Sequence, residues 1–81
     1  MIYAIREVGR DSDGVIIHHV LQEDHLLASN IPMGIVEMIL AARVLPRDTV
    51  QWKTSVGEKN YSGLDFLMNV RKNYLFDIGV I

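Results

Sequence analysis

The chain has 81 residues, 49% of them hydrophobic, with a net charge of −2 and no cysteine. This length predicts one domain over residues 1–81, and the lack of cysteine excludes disulfides and favours the cytoplasm. Surface-area scaling predicts that folding such a small chain buries only about 63% of its surface. A lone monomer is therefore marginally stable, and we expect the chain to rely on good packing or on oligomerisation.

Neither a membrane span nor a targeting segment is predicted. The first ten residues carry Arg6, Glu7 and Arg10, which do not fit the apolar core of a secretion signal. The most apolar stretch, Ile31–Leu45, contains Glu37 and Arg43 and is shorter than the roughly 20 residues that cross a bilayer. We therefore expect a cytoplasmic protein with no membrane segment.

The two halves of the chain differ in charge. Residues 1–42 hold two basic and six acidic side chains, whereas residues 43–81 hold six basic and four acidic ones. The acidic residues of the first half that are candidates for contact with a basic partner are Glu7, Asp11, Asp13, Glu23 and Asp24. The basic residues of the second half that are candidates for nucleic-acid binding are Arg43, Arg47, Lys53, Lys59, Arg71 and Lys72. A pI near 5.8 argues against nucleic acid as the partner, because such modules tend to be clearly basic.

The first quarter of the chain predicts a β-hairpin. Residues 2–8 alternate between two faces, as strands do, and residues 15–22 are rich in β-branched side chains. The intervening Gly9–Gly14 segment ends in Asp13-Gly14, a favoured hairpin turn because glycine adopts positive φ. The mixed segment Glu23–Asn30 is predicted to be a loop.

A helix is predicted from Pro32 to Val44, because proline fits the first helical position and Pro46 prevents continuation. Eleven of the fifteen residues from Ile31 to Leu45 are hydrophobic. They form two stripes, one of Met33, Val36, Leu40 and Val44 and the other of Ile35, Met38, Ile39 and Ala42. A surface helix needs only one apolar stripe, so the second is predicted to face another helix or another molecule.

The remainder predicts a strand, a helix and a final strand. Residues 49–56 alternate cleanly, residues 57–60 are predicted to be a turn, and Ser62-x-x-Asp65 has the form of a capping box that starts a helix over 63–73. The apolar residues 74–81 are predicted to be a last strand. The expected fold is α+β, a small single-layer sheet in the order β-β-α-β-α-β with the helices packed on one face.

No catalytic or metal-binding pattern is present. His18 and His19 are adjacent on a predicted strand and point to opposite faces, so they do not readily bind one metal ion. No serine lies in a nucleophile elbow, and the segment 57–63 lacks the Gly-Lys-Ser/Thr ending of a phosphate loop. We expect neither an enzyme nor a bound cofactor or metal.

The sequence thus predicts a non-enzymatic interaction module, such as a regulator, adaptor or inhibitor. It would act as a homodimer or higher oligomer, or bind a larger protein. The candidate interface residues are Met33, Val36, Met38, Ile39, Phe76, Ile78 and Val80. Two alternatives are nucleic-acid binding through the basic second half and an enzyme or small-ligand site built between subunits around His18, His19 or tyrosines.

Overall fold

The computed structural model describes residues 1–77 of the chain and the side chains of residues 1–70. The fold is α+β, as predicted, with five strands and two helices in this part of the chain. The strands are β1 (Ile2–Arg10), β2 (Ile16–Gln22), β3 (His25–Pro32), β4 (Thr49–Thr54) and β5 (Gly57–Ser62). The helices are α1 (Met33–Ala41) and α2 (Gly63–Asp77). The observed order is therefore β-β-β-α-β-β-α rather than the predicted β-β-α-β-α-β.

The strands form one mixed sheet in the order β3-β2-β1-β4-β5. β1 pairs with β2 and β2 with β3 in antiparallel hairpins, and β4 pairs with β5 in the same way. The two hairpin groups meet where β1 and β4 lie side by side in parallel, with Ile5 opposite Trp52 and Arg6 opposite Lys53. The connection between these parallel strands includes α1, as a parallel pairing requires a crossover.

One core joins the sheet to both helices. The sheet contributes alternate residues, which point to one face: Tyr3, Ile5, Val20 and Val50. The helices and the turn after α1 contribute Val36, Leu40, Val44, Phe66, Leu67 and Val70. On the opposite face of the sheet, residues such as Arg6 and Lys53 are exposed, and His19 is half-buried.

The predicted loop over 23–30 is wrong, because most of it is β3. A two-residue turn, Glu23-Asp24, returns the chain directly from β2 to β3. Glu23 takes the left-handed φ of 51° that usually calls for glycine or asparagine. Two hydrogen bonds to the neighbouring β1 hold it there, since its N–H donates to the Ile2 carbonyl at 2.8 Å and its carboxylate accepts from the Ile2 N–H at 2.8 Å.

The predicted turn over 57–60 is also wrong, because these residues begin β5. The turn lies one step earlier, at Ser55-Val56. The Thr54 hydroxyl closes it by accepting from the Val56 N–H at 3.3 Å and donating to the Gly57 carbonyl at 3.1 Å. The polar composition of Gly57–Ser62 gives little strand signal, which is why the pairing with β4 was not expected.

Both helices are confirmed, with changed limits. α1 ends at Ala41, three residues before the predicted Val44, and Pro32 is its N-cap rather than its first residue. α2 begins at Gly63 as predicted, with the Asp65 N–H donating to the Ser62 hydroxyl at 3.1 Å. α2 continues to Asp77, so the final strand predicted from Tyr74 is wrong for residues 74–77. Residues 78–81 lie outside the described part of the chain.

Within the described residues, neither helix combines the length and the apolar character that a bilayer crossing demands.

Candidate functional site

Helix α1 separates its two apolar stripes as the sequence predicts. Val36 and Leu40 are completely buried against the sheet. On the other side of the helix, 65% of Met38 and 41% of Ile35 are exposed, and Ala42 at the C-cap is exposed too. Glu37 is the only charged residue of the helix. Within the residues that the structure describes, the outward side of α1 is therefore apolar and exposed.

The predicted interface residues do not all share this surface. Met38 lies at its centre, Ile39 is half-buried at its edge, and Met33 is half-buried and packs against the core. Val36 lies wholly within the core and is not available to a partner of the folded chain. Phe76 belongs to the α2 backbone, and its side chain, Ile78 and Val80 lie outside what the structure describes.

More apolar side chains are exposed near the end of α1 and the start of α2. The Leu64 N–H donates to the Pro46 carbonyl at 3.2 Å, which places the first turn of α2 against the loop after α1. Leu45 in this loop, Leu64, and Met68 one helical turn further on are all exposed. We call these three residues and the exposed apolar residues of α1 the outer apolar surface: Ile35, Met38, Leu45, Leu64 and Met68.

The candidate acidic face is divided between two ends of the sheet. Asp11 and Asp13 lie in the turn before β2, whereas Glu23 and Asp24 lie in the turn after it. These turns are about 20 Å apart, given the rise of a strand per residue. Asp11 also has a structural role, because its carboxylate accepts from the N–H groups of Asp13 and Val15, each at 2.9 Å.

The candidate basic residues are equally dispersed. Arg43 and Arg47 lie in the connection between α1 and β4, Arg71 and Lys72 lie on the α2 backbone, and Lys53 projects from the sheet face that lacks the core. Lys59 is different, because it is the cross-strand partner of Trp52. The two residues line one groove on the surface of the β4–β5 hairpin. A cation and an indole ring therefore do share one face of the β4–β5 hairpin.

The adjacent histidines point to opposite faces, as predicted. His18 is buried on the core face, with Nδ1 3.2 Å from the Ile31 carbonyl oxygen. His19 is half-buried on the other face, where its Nδ1 is enclosed and has no hydrogen-bond partner. Across the described residues, no three histidine, aspartate or glutamate side chains are grouped closely enough to hold a metal ion.

A cleft opens where β1 and β4 end. At the ends of these two strands the chain turns in opposite directions within the sheet. From β1 it continues into β2 on one side of the pair, and from β4 it continues into β5 on the other side. Their carboxyl ends therefore diverge, in the way that creates ligand crevices in open α/β sheets. The cleft has a volume of about 680 Å³. Its lining comes from Arg6–Gly9 on β1, Lys53–Ser55 at the end of β4, and His19 on β2.

Basic side chains line this cleft side by side. Arg6 is the direct neighbour of His19 on β2 and of Lys53 on β4, so the three residues cross three strands on one face. Among the described residues, neither Arg6 nor Lys53 forms an ion pair within 4.0 Å. Glu7 also lines the cleft, and Glu58 is the next residue along the row, opposite Lys53.

The other side of the sheet has a smaller, aromatic groove. Trp52 and Tyr61 line it together with Lys59, and its volume is about 330 Å³. The indole Nε1 of Trp52 is buried and has no hydrogen-bond partner. This groove lies beside the core, since Trp52 and Tyr61 both pack against it.

The sequence alone did not reveal the cleft. Alternation within β4 places Lys53 and Trp52 on opposite faces of the sheet. The missing information was that β1 and β4 are parallel neighbours, because a pairing across more than 40 residues leaves no local pattern in the sequence. Only this register places Arg6 beside Lys53.

Comparisons with protein-family models, with curated proteins and with solved structures give no match for this chain.

Proposed function

We propose that this protein is a small non-enzymatic interaction module that acts as a homodimer, with the outer apolar surface as its self-association interface. The observation that carries the proposal is the division of α1 into one buried and one exposed apolar stripe. The exposed stripe includes Met38, which is 65% exposed, and removing such side chains from water is favourable. A contiguous uncovered apolar patch in a small protein typically marks an interface.

A second copy of the chain is the occupant that fits this surface. In a two-fold symmetric interface each patch contacts its own equivalent, so a patch with one sign of charge would repel itself. The outer apolar surface contains no charged residue. Exposed Ala41 on α1 is small enough to let two helix backbones come close together.

The size of the interface requires more than α1. A helix of nine residues is only about 13 Å long, and a stable interface usually buries about 800 Å² on each partner. Leu45, Leu64 and Met68 extend the apolar area beyond α1 towards that size. The proposed interface therefore includes the first two turns of α2 as well as α1.

Light scattering after size-exclusion chromatography, over a concentration series, tests this proposal. Wild type is expected at twice the mass of the chain, and Met38→Glu at the mass of a folded monomer, because a buried, unpaired carboxylate opposes the dimer. Val56→Glu is the matched control, since Val56 is 95% exposed at the β4–β5 turn. A monomeric wild type, or a dimer that survives Met38→Glu, would reject the interface.

Single-stranded nucleic acid binding at the β4–β5 hairpin is a second candidate function. It is favoured by the placement of Lys59 directly across from Trp52, because base stacking on an aromatic ring beside a cation is the usual mode of such proteins. The chain contains one tryptophan, so a stacked base would quench its fluorescence. An oligonucleotide titration at low salt that leaves the fluorescence unchanged would exclude this function.

A further inference from the structure

We propose that the cleft between the carboxyl ends of β1 and β4 binds a phosphate group, with Arg6 and Lys53 as its principal contacts. This site lies on the sheet face away from the core, and the proposal does not depend on the dimer interface. Nor does it involve Trp52 or Lys59, which line the groove on the other side of the sheet.

Two like charges lie in an unfavourable position at this cleft. Arg6 and Lys53 are directly opposite each other on neighbouring strands, whose backbones are about 4.8 Å apart. Like charges in this position destabilise a sheet. Glu58 lies opposite Lys53 on the next strand. Neither cation has an ion-pair partner within 4.0 Å in the described part of the chain, however, so the repulsion between them is only partly offset. An anion bound between the two side chains would compensate it.

The cleft also has a suitable shape and further hydrogen-bond donors. β1 extends to Arg10, but its pairing with β4 ends at Arg6. At the cleft, the edge of β1 that faces β4 therefore has no strand partner. Gly9 lacks a side chain and lines the cleft, which leaves room for a ligand against the backbone. Ser55 adds a hydroxyl donor from the β4 side. His19 also lines the cleft.

These donors suit a phosphate better than a carboxylate. The guanidinium of Arg6 offers two parallel N–H donors to two oxygens of one group, whereas the Lys53 ammonium acts as a point charge. Together with the Ser55 hydroxyl, they provide donors for three oxygens of a phosphate. Glu7 at the rim of the cleft and Glu58 opposite Lys53 both disfavour an anion, so the binding is expected to be weak, with a Kd of about 1 mM.

Titration of the ¹⁵N-labelled full chain with inorganic phosphate tests the site, with sodium chloride at matched ionic strength as the reference. We expect saturable shifts of the Val8, Gly9 and Ser55 amide signals with phosphate and none with chloride. In the double variant Arg6→Gln with Lys53→Gln, the Kd should rise at least about ten-fold, the change expected on losing charge-assisted hydrogen bonds. Shifts that chloride reproduces would overturn the proposal.

The matched control is Arg43→Gln with Arg47→Gln, which removes the same charge from the connection between α1 and β4. This variant should bind phosphate as wild type does. An equal loss of affinity in both double variants would mean that phosphate binding depends only on the net charge of the protein, and would overturn the site. Light scattering of the Arg6→Gln, Lys53→Gln variant should still show the dimer mass, which separates this proposal from the proposed function.

Two further titrations identify the source of the phosphate. If a nucleoside monophosphate displaces inorganic phosphate and a single-stranded oligonucleotide does not, the ligand is a small phosphorylated molecule. If the oligonucleotide competes and loses affinity in the Arg6→Gln, Lys53→Gln variant, the site holds a nucleic-acid backbone phosphate. If neither competes with inorganic phosphate for the amide signals of the cleft, the cleft is not a site for phosphorylated ligands.

Discussion

Two glycines at the starts of the helices differ in what surrounds them. Gly63 is buried where α2 begins, and its N–H donates to the Asp48 carbonyl at 2.6 Å. A methyl group on Gly63 would overlap the Leu45 carbonyl oxygen and approach Val44 Cγ1 to 3.1 Å. Gly34 in α1 has no atom within 4 Å of the same position. The same substitution should therefore have opposite effects at the two sites.

Gly63→Ala is expected to lower the free energy of unfolding by about 2 kcal/mol, because the overlap with backbone exceeds the gain in helix propensity. Gly34→Ala, the control, should raise it by up to about 1 kcal/mol, because alanine is the better helix former and meets no neighbour. Urea unfolding monitored by circular dichroism measures both. A neutral or stabilising Gly63→Ala would show that the 45–48 loop moves freely away from α2.

At the level of elements, the sequence identifies those whose signals are local. The alternation in β1 and β4, the Asp13-Gly14 turn and the Pro32 start of α1 each depend on a few neighbouring residues, and each prediction is confirmed apart from small changes in limits. The Ser62 capping box belongs to the same class, and it correctly places the beginning of α2.

The two strands that were missed depend on contacts with distant segments. β3 follows a turn in which Glu23 is held at φ 51° by hydrogen bonds to Ile2, a residue 21 positions away. β5 is a polar edge strand whose pairing with β4 outweighs its low intrinsic strand preference. In the final segment, alternation favoured a strand, whereas helical hydrogen bonding begun at Gly63 continues through residues 74–77.

The Ser62 cap is expected to contribute measurably to the stability of α2. Its hydroxyl accepts from the Asp65 N–H at 3.1 Å, one of the donors that the first helical turn leaves without a partner. Ser62→Ala should lower the free energy of unfolding by about 1 kcal/mol. Ser29→Ala in β3 is the control, because Ser29 is exposed and no side-chain hydrogen bond depends on it. Equal losses in the two variants, by urea unfolding, would contradict a capping role.

For the whole molecule, the decisive feature is the parallel pairing of β1 with β4. It brings Arg6 and Lys53 together, creates the cleft, and places α1 over the sheet through the crossover. No local sequence pattern in β1 or in β4 indicates that the other strand is its neighbour. The candidate sites thus differ in origin: the outer apolar surface follows largely from the periodicity of one helix, whereas the cleft follows from the topology.

The proposed dimer also makes the thermal stability of the whole molecule depend on concentration, because dilution favours the unfolded chains. An unfolding entropy near 2.1 cal/mol/K per residue implies that Tm rises by roughly 4 °C for each tenfold increase in concentration when two chains unfold together. Wild type and Val56→Glu should show this slope.

Met38→Glu should instead unfold at a Tm that does not change with concentration, while its circular dichroism at low temperature remains that of the folded chain. The reason is that Met38 is 65% exposed, so the substitution removes the interface without disturbing the core. Val36→Glu provides the contrast, because Val36 is fully buried and a charge there should prevent folding at any concentration. A Met38→Glu chain that is unfolded, or that retains the wild-type slope, would show that the outward side of α1 is not the surface through which two copies associate.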